Sequence, residues 1–199
     1  MTIKVGITGG IGSGKSIVCK VFKLLGAPVF EADQVAKNLM NSNQEIIDHL
    51  IQLYGKEIYT DNDGLNRKKL AEIIFNNDIE RERVNKIVHP WVRTEFEKWS
   101  QIQKALYVIH EAAILFESGF YKMMDFTILV TAPEEIRIKR VMKRDEVDTK
   151  IVKERIAKQW PDSEKRKLAS FELQNDNSGL IIPQIIEIDK NLRLYGKIW

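Results

Sequence analysis

The chain predicts an α/β fold in which a parallel sheet is flanked by helices, with a helical insertion and a helical lid. Three observations carry this. The N-terminal stretch runs strand, glycine-rich turn, amphipathic helix, strand. Residues 37–103 then show only helical periodicity. Two further apolar, β-branched runs follow, at Leu106-Tyr107-Val108-Ile109 and at Phe126-Thr127-Ile128-Leu129-Val130.

Ile3 to Thr8 reads as a short buried strand. Val18, Val21, Phe22 and Leu25 recur at i, i+3, i+4 and i+7, which is one face of a helix, and Gly26 stops it. Pro28-Val29-Phe30 is a second strand that ends at Glu31-Ala32-Asp33. In the insertion, Ile47, Leu50, Ile51 and Tyr54 keep the helical spacing, and Asp61-Asn62-Asp63-Gly64 is a turn. That turn does not fit a calcium loop, because its glycine comes too early and the later ligands are missing. Three helices are expected over 67–75, 79–88 and 91–103, the last with Val92, Phe96 and Trp99 on one face, and no strand is expected in the insertion. Pro133 opens a helical, highly charged stretch over 134–168. Ser170 to Leu173 is a weak strand, and a last helix fills much of 180–194.

The bulk numbers fit an ordinary globular chain: 199 residues, 44% hydrophobic and 30% charged. Lys+Arg (31) and Asp+Glu (28) nearly balance at a net charge of +3, so no nucleic-acid or membrane partner is called for, while a local basic pocket for a phosphorylated ligand is compatible. The single cysteine, Cys19, excludes an intramolecular disulfide framework. No basic and apolar leader or membrane span is visible, so cytoplasmic residence is the default expectation. Nothing in the sequence determines whether the chain forms a homo-oligomer.

Gly9-Gly10-Ile11-Gly12-Ser13-Gly14-Lys15-Ser16 satisfies G-x-x-x-x-G-K-[ST] in its proper context, after a strand and before a helix. Glycines let the backbone turn several N–H groups toward phosphate oxygens, and the new helix presents its positive end to the same anion. Gly10, Ile11, Gly12, Ser13, Gly14, Lys15 and Ser16 are therefore expected to hold ATP, with Lys15 on the β- and γ-phosphates and Ser16 on Mg2+. The core is accordingly a P-loop NTPase fold.

Three classes share such a core: small-molecule kinases, GTPase switches, and motor or assembly ATPases. Asn85-Lys86-Ile87-Val88 lacks the aspartate of the guanine-reading N-K-x-D and lies in an expected helix, which disfavours the switch. Chain length, the insertion and the basic segment favour a kinase. Asp33, at the carboxyl end of the second strand, is placed either to take a hydroxyl proton or to cap the next helix. Glu111 ends the third strand and either assists Mg2+ through water or is an exposed strand-end charge. Arg137, Arg140 and Arg144 fall at i, i+3 and i+7 on a helix. They are either a solvated face or the cations of a lid over the transferring phosphoryl group.

Taken in order, these residues resemble the dephospho-coenzyme A kinase family over nearly the whole chain. The phosphate loop from Thr8 to Ser16 matches, and Glu31-Ala32-Asp33 is similar to the family's D-A-D element. Gly64-Leu65-Asn66-Arg67 with Leu70 and Phe75, His89-Pro90, and Leu115-Phe116-Glu117 follow. Arg140, Arg144-Asp145 and Gln159 resemble its lid pattern, and Asn175 its late I-D-N asparagine. Four positions depart: Glu31 for aspartate, Ala113 for proline, and Ser170 and Gln174 for acidic residues.

The resemblance implies transfer of the ATP γ-phosphate to the ribose 3′-hydroxyl of dephospho-CoA, the last step of coenzyme A synthesis. It also implies a nucleotide core (1–36, 104–136 and 168–199), a CoA-side helical domain (37–103) and a lid (137–167). The expected mechanism is in-line transfer without a phospho-enzyme. Lys15 and Asp33 are catalytic, and Arg140 and Arg144 close over the phosphates. Ser16 holds Mg2+ with water-mediated help from Asp33 or Glu111, and Asn175 contacts the nucleotide. Asp33, Lys37, Arg67, His89 and Glu111 stand on the acceptor side.

Overall fold

The computed structural model describes residues 2–60, 64–75 and 77–195. The chain divides into two compact units, Met1–Glu31 with Trp99–Trp199, and Ala32–Lys98.

The first unit is built on five parallel strands: β1 (Ile3–Thr8), β2 (Val29–Glu31), β5 (Tyr107–Glu111), β6 (Phe126–Thr131) and β7 (Phe171–Gln174), in the order β2-β5-β1-β6-β7. After β1 the chain moves outward past β5 to β2, and after β5 it crosses to the other side at β6. The carboxyl ends of β1 and its neighbours therefore form the crevice where open α/β sheets bind ligands. Register is set on both sides of the middle strand, Ile7 pairing with Glu111 and with Ile128. The central strands are almost wholly apolar because both of their faces are covered. Ile3, Val5 and Ile7 alternate along β1 and pack in one core with Val18, Cys19 and Phe22 of α1 (Lys15–Leu24) and with Ile185, Ile188 and Leu192 of α9 (Ile181–Tyr195). Helix α1 closes where Ala27 N–H donates to the Phe22 carbonyl at 3.0 Å. Burial, with the Glu111 charge as a lesser cause, pushes the Cys19 thiol up to about 12, so it is an inert core group.

A buried polar clamp fastens α9 to the sheet. Tyr107 Oη donates to Asp189 Oδ1 at 2.5 Å, and Arg193 Nε donates to both Asp189 oxygens at 2.9 Å. Arg193 Nη2 also donates to the Leu25 carbonyl at 2.6 Å, just past the end of α1. Asp189→Ala leaves a buried phenol without its acceptor and is expected to cost about 2–3 kcal/mol, whereas Tyr107→Phe, which keeps the Asp189–Arg193 bonds, costs about 1 kcal/mol. Urea unfolding of the two variants checks that order.

The stretch expected to be helical throughout 134–168 is three helices, α6 (Glu134–Asp145), α7 (Thr149–Ala157) and α8 (Asp162–Arg166). Glu146 turns left-handed at φ 54, Asp148 caps α7 by accepting Ile151 N–H at 3.0 Å, and Pro161 precedes α8. Both breaks carry ordinary helix-start residues, which a run of alternating charges obscured.

The second unit contains α2 (Ala32–Ser42), α3 (Gln44–Tyr54), β3 (Tyr59–Thr60), β4 (Gly64–Leu65), α4 (Arg67–Phe75) and most of α5 (Asp78–Gln101). Two expectations are corrected here. The insertion does have strands: Tyr59 pairs with Leu65 and Thr60 with Gly64, antiparallel. Each strand is two residues long, too short for alternation to register. Of the turn between them, Asp61, Asn62 and Asp63 lie outside the described residues. The helices expected over 79–88 and 91–103 are one continuous α5 that passes through Pro90. Val84, Val88, Val92 and Phe96 follow at intervals of four and are all buried. Burying each contributes roughly 1.5–3 kcal/mol, which together exceeds the roughly 3 kcal/mol that an interior proline costs. Among the described residues no helix is long and apolar enough to cross a membrane.

Candidate active site

The phosphate loop leaves β1 at the crevice. Ser13 N–H donates to the Gly10 carbonyl at 3.0 Å, closing a tight turn, and Gly14 then enters α1 with φ 99. Only glycine adopts that backbone easily, and Asn175 Nδ2 lies where a side chain on Gly14 would project. Among the described residues the N–H groups of Gly12, Gly14 and Ser16 meet no acceptor in the protein. They stand at the positive end of α1, the arrangement that binds phosphate.

Lys15 Nζ donates to the Gly9 carbonyl at 3.2 Å and lies 4.0 Å from Glu111 Oε1. The two side chains are only 12% and 16% exposed. Glu111 sits at the end of β5, one strand from β1, so the sheet itself brings it to the lysine. The Ser16 hydroxyl is exposed in the first turn of α1.

The three arginines read on one face of α6 are employed differently. Arg140 Nη1 donates to the carbonyls of Gly12 and Ser13 at 3.4 and 3.5 Å, and Nη2 to the Asn175 carbonyl and Asn177 Oδ1 at 3.0 and 2.8 Å. Asn175 Nδ2 donates to the Ser13 carbonyl at 2.8 Å. Arg140 and Asn175 thus brace the loop from its carbonyl side. Arg144, 61% exposed, is bonded to its neighbour Asp145 at 2.6 and 3.1 Å, and Arg155 shares that carboxylate. The hydrogen bond from Arg144 holds the Asp145 carboxyl below its usual range. Arg137 is buried and packs against Gly10, 4.0 Å from Asp162 Oδ1.

Gln159 and Glu117 enter the sequence reading only through the family resemblance, without a role, and Lys165 does not enter it at all. Gln159 Oε1 accepts the Ile11 N–H at 2.8 Å. Lys165, fully buried, pairs with Glu117 at 2.9 Å, and Glu117 Oε1 also accepts Trp160 N–H at 3.0 Å. Nothing in the sequence separates Lys165 from its exposed neighbours, since its burial is a tertiary property.

In the second unit, Asp33 is exposed in the first turn of α2, inside the helix rather than capping it, and its carboxylate complements the helix dipole. Lys37, also exposed, is one turn further along the same face. Arg67 begins α4 and lines an open cleft of about 460 Å³ with Asn41, Thr60, Leu65 and Asn66. His89 lies within α5, its pKa lowered by burial and then by the charge of Arg93.

His110, beside Glu111 in β5, stacks on Phe30 at 5.5 Å and lies tilted against Phe120 at 5.0 Å, and burial pushes it down to about 4. The fold keeps it neutral, whereas the unfolded chain protonates it near pH 6.5. Its contribution to stability is complete above pH 6.5 and is lost as pH falls toward 4. Between pH 7.5 and 4.5 the protein should lose about 2–3 kcal/mol more stability than His110→Leu, measured as the difference between the two in urea.

The sheet order and the loop define a P-loop nucleotide-binding protein built on the plan of the small kinases. The Dephospho-CoA kinase family model matches residues 3–180. The dephospho-CoA kinase of Bacteroides fragilis is 39% identical over 189 residues, covering 94% of this chain and 92% of that one. A Thermus thermophilus protein of known structure superposes with a TM-score of 0.84 at 31% identity, over 96% of this chain and 97% of its own. The dephospho-CoA kinase of Campylobacter jejuni gives 0.69 at 27%, over 96% and 98%. The chain belongs to the dephospho-CoA kinase family.

Proposed function

We propose that the protein transfers the γ-phosphate of ATP to the ribose 3′-hydroxyl of dephospho-CoA, giving coenzyme A and ADP, in the cytoplasm. The observation that supports this most is a phosphate loop whose Gly12, Gly14 and Ser16 N–H groups meet no acceptor among the described residues, with a Lys15–Glu111 pair beside it, in a chain of this family.

In this reading Gly12, Gly14 and Ser16 donate backbone N–H groups to the triphosphate, and Lys15 neutralises charge on the β- and γ-phosphates. Glu111, 4.0 Å away, keeps Lys15 aimed. Asp33 orients the acceptor hydroxyl and takes its proton as the new P–O bond forms and the bond to the ADP oxygen breaks. Lys37, Arg67 and His89 belong to the acceptor side. Arg140 and Asn175 hold the loop's carbonyl side, next to the nucleotide. Arg144, 61% exposed, exchanges Asp145 for the phosphates. The donors available for a metal are the Ser16 hydroxyl with Glu111 or Asp33, a sparse oxygen set of the kind Mg2+ takes when phosphates complete its shell. Bound there, Mg2+ would neutralise phosphate charge.

The product of a preparative reaction with dephospho-CoA tests the regiochemistry. Two-dimensional 1H–31P NMR should show one new phosphomonoester, coupled to the ribose 3′ proton. A 2′-phosphate or an additional diphosphate bond would overturn the reading.

A further inference from the structure

Every phosphate-loop N–H that faces a triphosphate needs the backbone around it held still. In the first turn of this loop, Gly10 to Ser13, the Ile11 side chain packs against Ile138, Val141 and Val152, and Arg140 and Asn175 hold the carbonyls of Gly12 and Ser13. The Ile11 N–H is held by the connection between α7 and α8. Gln159 Oε1 accepts the Ile11 N–H at 2.8 Å, and Gln159 Nε2 reaches the Ala113 carbonyl at 3.5 Å. That carbonyl also accepts from Thr8 Oγ1, at 3.3 Å, in the last residue of β1. One amide side chain therefore ties the loop's turn to the segment that follows β5.

The connection is itself anchored. Trp160 N–H donates to Glu117 Oε1 at 3.0 Å, and the fully buried Lys165 pairs with the same carboxylate at 2.9 Å. Asp162 stands 4.0 Å from Arg137, whose guanidinium packs against Gly10 where any side chain would strike it. Arg137 and Asp162 are only 10% and 18% exposed. Lys165 and Glu117 are the close pair, and separating them would leave an uncompensated charge inside the protein, whereas Arg137 and Asp162 face each other without a hydrogen bond. The α7–α8 connection is thus clamped by Glu117, which takes both Lys165 and the Trp160 N–H, and Gln159 projects from it onto the loop.

We infer that Gln159 is a positioning residue: it holds the Ile11 peptide, and through it the Gly12 and Gly14 N–H groups, in the geometry needed for turnover. The functional half of this inference rests on the kinase reading above; the structural half does not. Three consequences follow. Loss of the amide frees the Ile11 N–H without removing any group that touches phosphate. Replacement by glutamate keeps an acceptor for that N–H and adds a negative charge near the triphosphate. Loosening the connection also admits water to the loop, so hydrolysis without acceptor should rise relative to transfer.

The test compares wild type, Gln159→Leu and Gln159→Glu in the full chain, by NMR amide exchange without nucleotide and by steady-state kinetics with Mg-ATP and dephospho-CoA. In Gln159→Leu the Ile11 amide should exchange at least about tenfold faster while Val5 and Ile128 stay protected. Its kcat should fall about five- to tenfold, with acceptor-independent hydrolysis a larger share of ADP release. Gln159→Glu should keep Ile11 protected and recover most of kcat, with a several-fold higher KM for ATP. Unchanged Ile11 exchange in Gln159→Leu overturns the inference, and so does faster exchange with unaltered kcat and hydrolysis ratio. Should Gln159→Leu not fold, Gln159→Glu decides: loss of Ile11 protection or of kcat there is contradictory. Should wild type transfer nothing to dephospho-CoA, the kinase reading fails, and the exchange data still judge the Gln159–Ile11 contact.

Discussion

Lys15→Ala should lower turnover by at least about a thousandfold, the order seen when a preorganised charge donor is taken from a transition state. The loss has two parts. The cation that meets the moving phosphoryl charge is gone, and Glu111, 4.0 Å from Lys15 in the wild type, then faces the triphosphate uncompensated. Lys15 opens α1 and lies outside the hydrophobic core, so Lys15→Ala should still fold. Lys15→Arg is not expected to rescue, since a planar guanidinium cannot take the place of a compact ammonium packed on the Gly9 carbonyl. Single-turnover rates at saturating ATP measure the effect directly. Near-normal turnover in Lys15→Ala would remove the assigned role.

Asp33→Asn should lower kcat by about a hundred- to ten-thousandfold while leaving ATP affinity within about threefold. The substitution keeps the shape and removes the basic oxygen. Asp33 is exposed in the first turn of α2, so neither packing nor a cap is lost. Equilibrium binding of a non-hydrolysable ATP analogue and pre-steady-state phosphate transfer separate the two quantities. A collapse of ATP affinity, with turnover of bound substrate persisting, would make Asp33 a metal-binding or structural residue.

The parts of this molecule that were legible in its sequence are those whose physics is local. β1, the phosphate loop and α1 form one continuous stretch whose motif is contained within eight residues, although Gly10 and Gly14 are also crowded by the distant Arg137 and Asn175. The all-apolar character of the central strands follows from burial on both faces and showed at 106–109 and 126–130. Where long-range packing decides, pattern failed. Pro90 looks like a boundary, but a buried stripe from Val84 to Phe96 carries α5 through it. The β3–β4 pair is too short to leave a periodic trace. Helical spacing placed Arg137, Arg140 and Arg144 together. Spacing says nothing about partners, and the fold sends one beneath Gly10, one to backbone carbonyls and one to Asp145. Lys165 and Glu117 are the clearest case. A lysine is rarely buried unless it is paired, and β6, α6 and α7 separate it in sequence from its partner.

The most direct measurement is ADP release with Mg-ATP, alone and with dephospho-CoA, AMP, dTMP or shikimate as acceptor, with the phosphorylated product identified by mass spectrometry. Stimulation by dephospho-CoA alone is expected, with coenzyme A formed in step with ADP. Stimulation by a different acceptor would contradict the proposed substrate, and tight ATP binding without stimulation by any of them would contradict the proposed kinase activity itself.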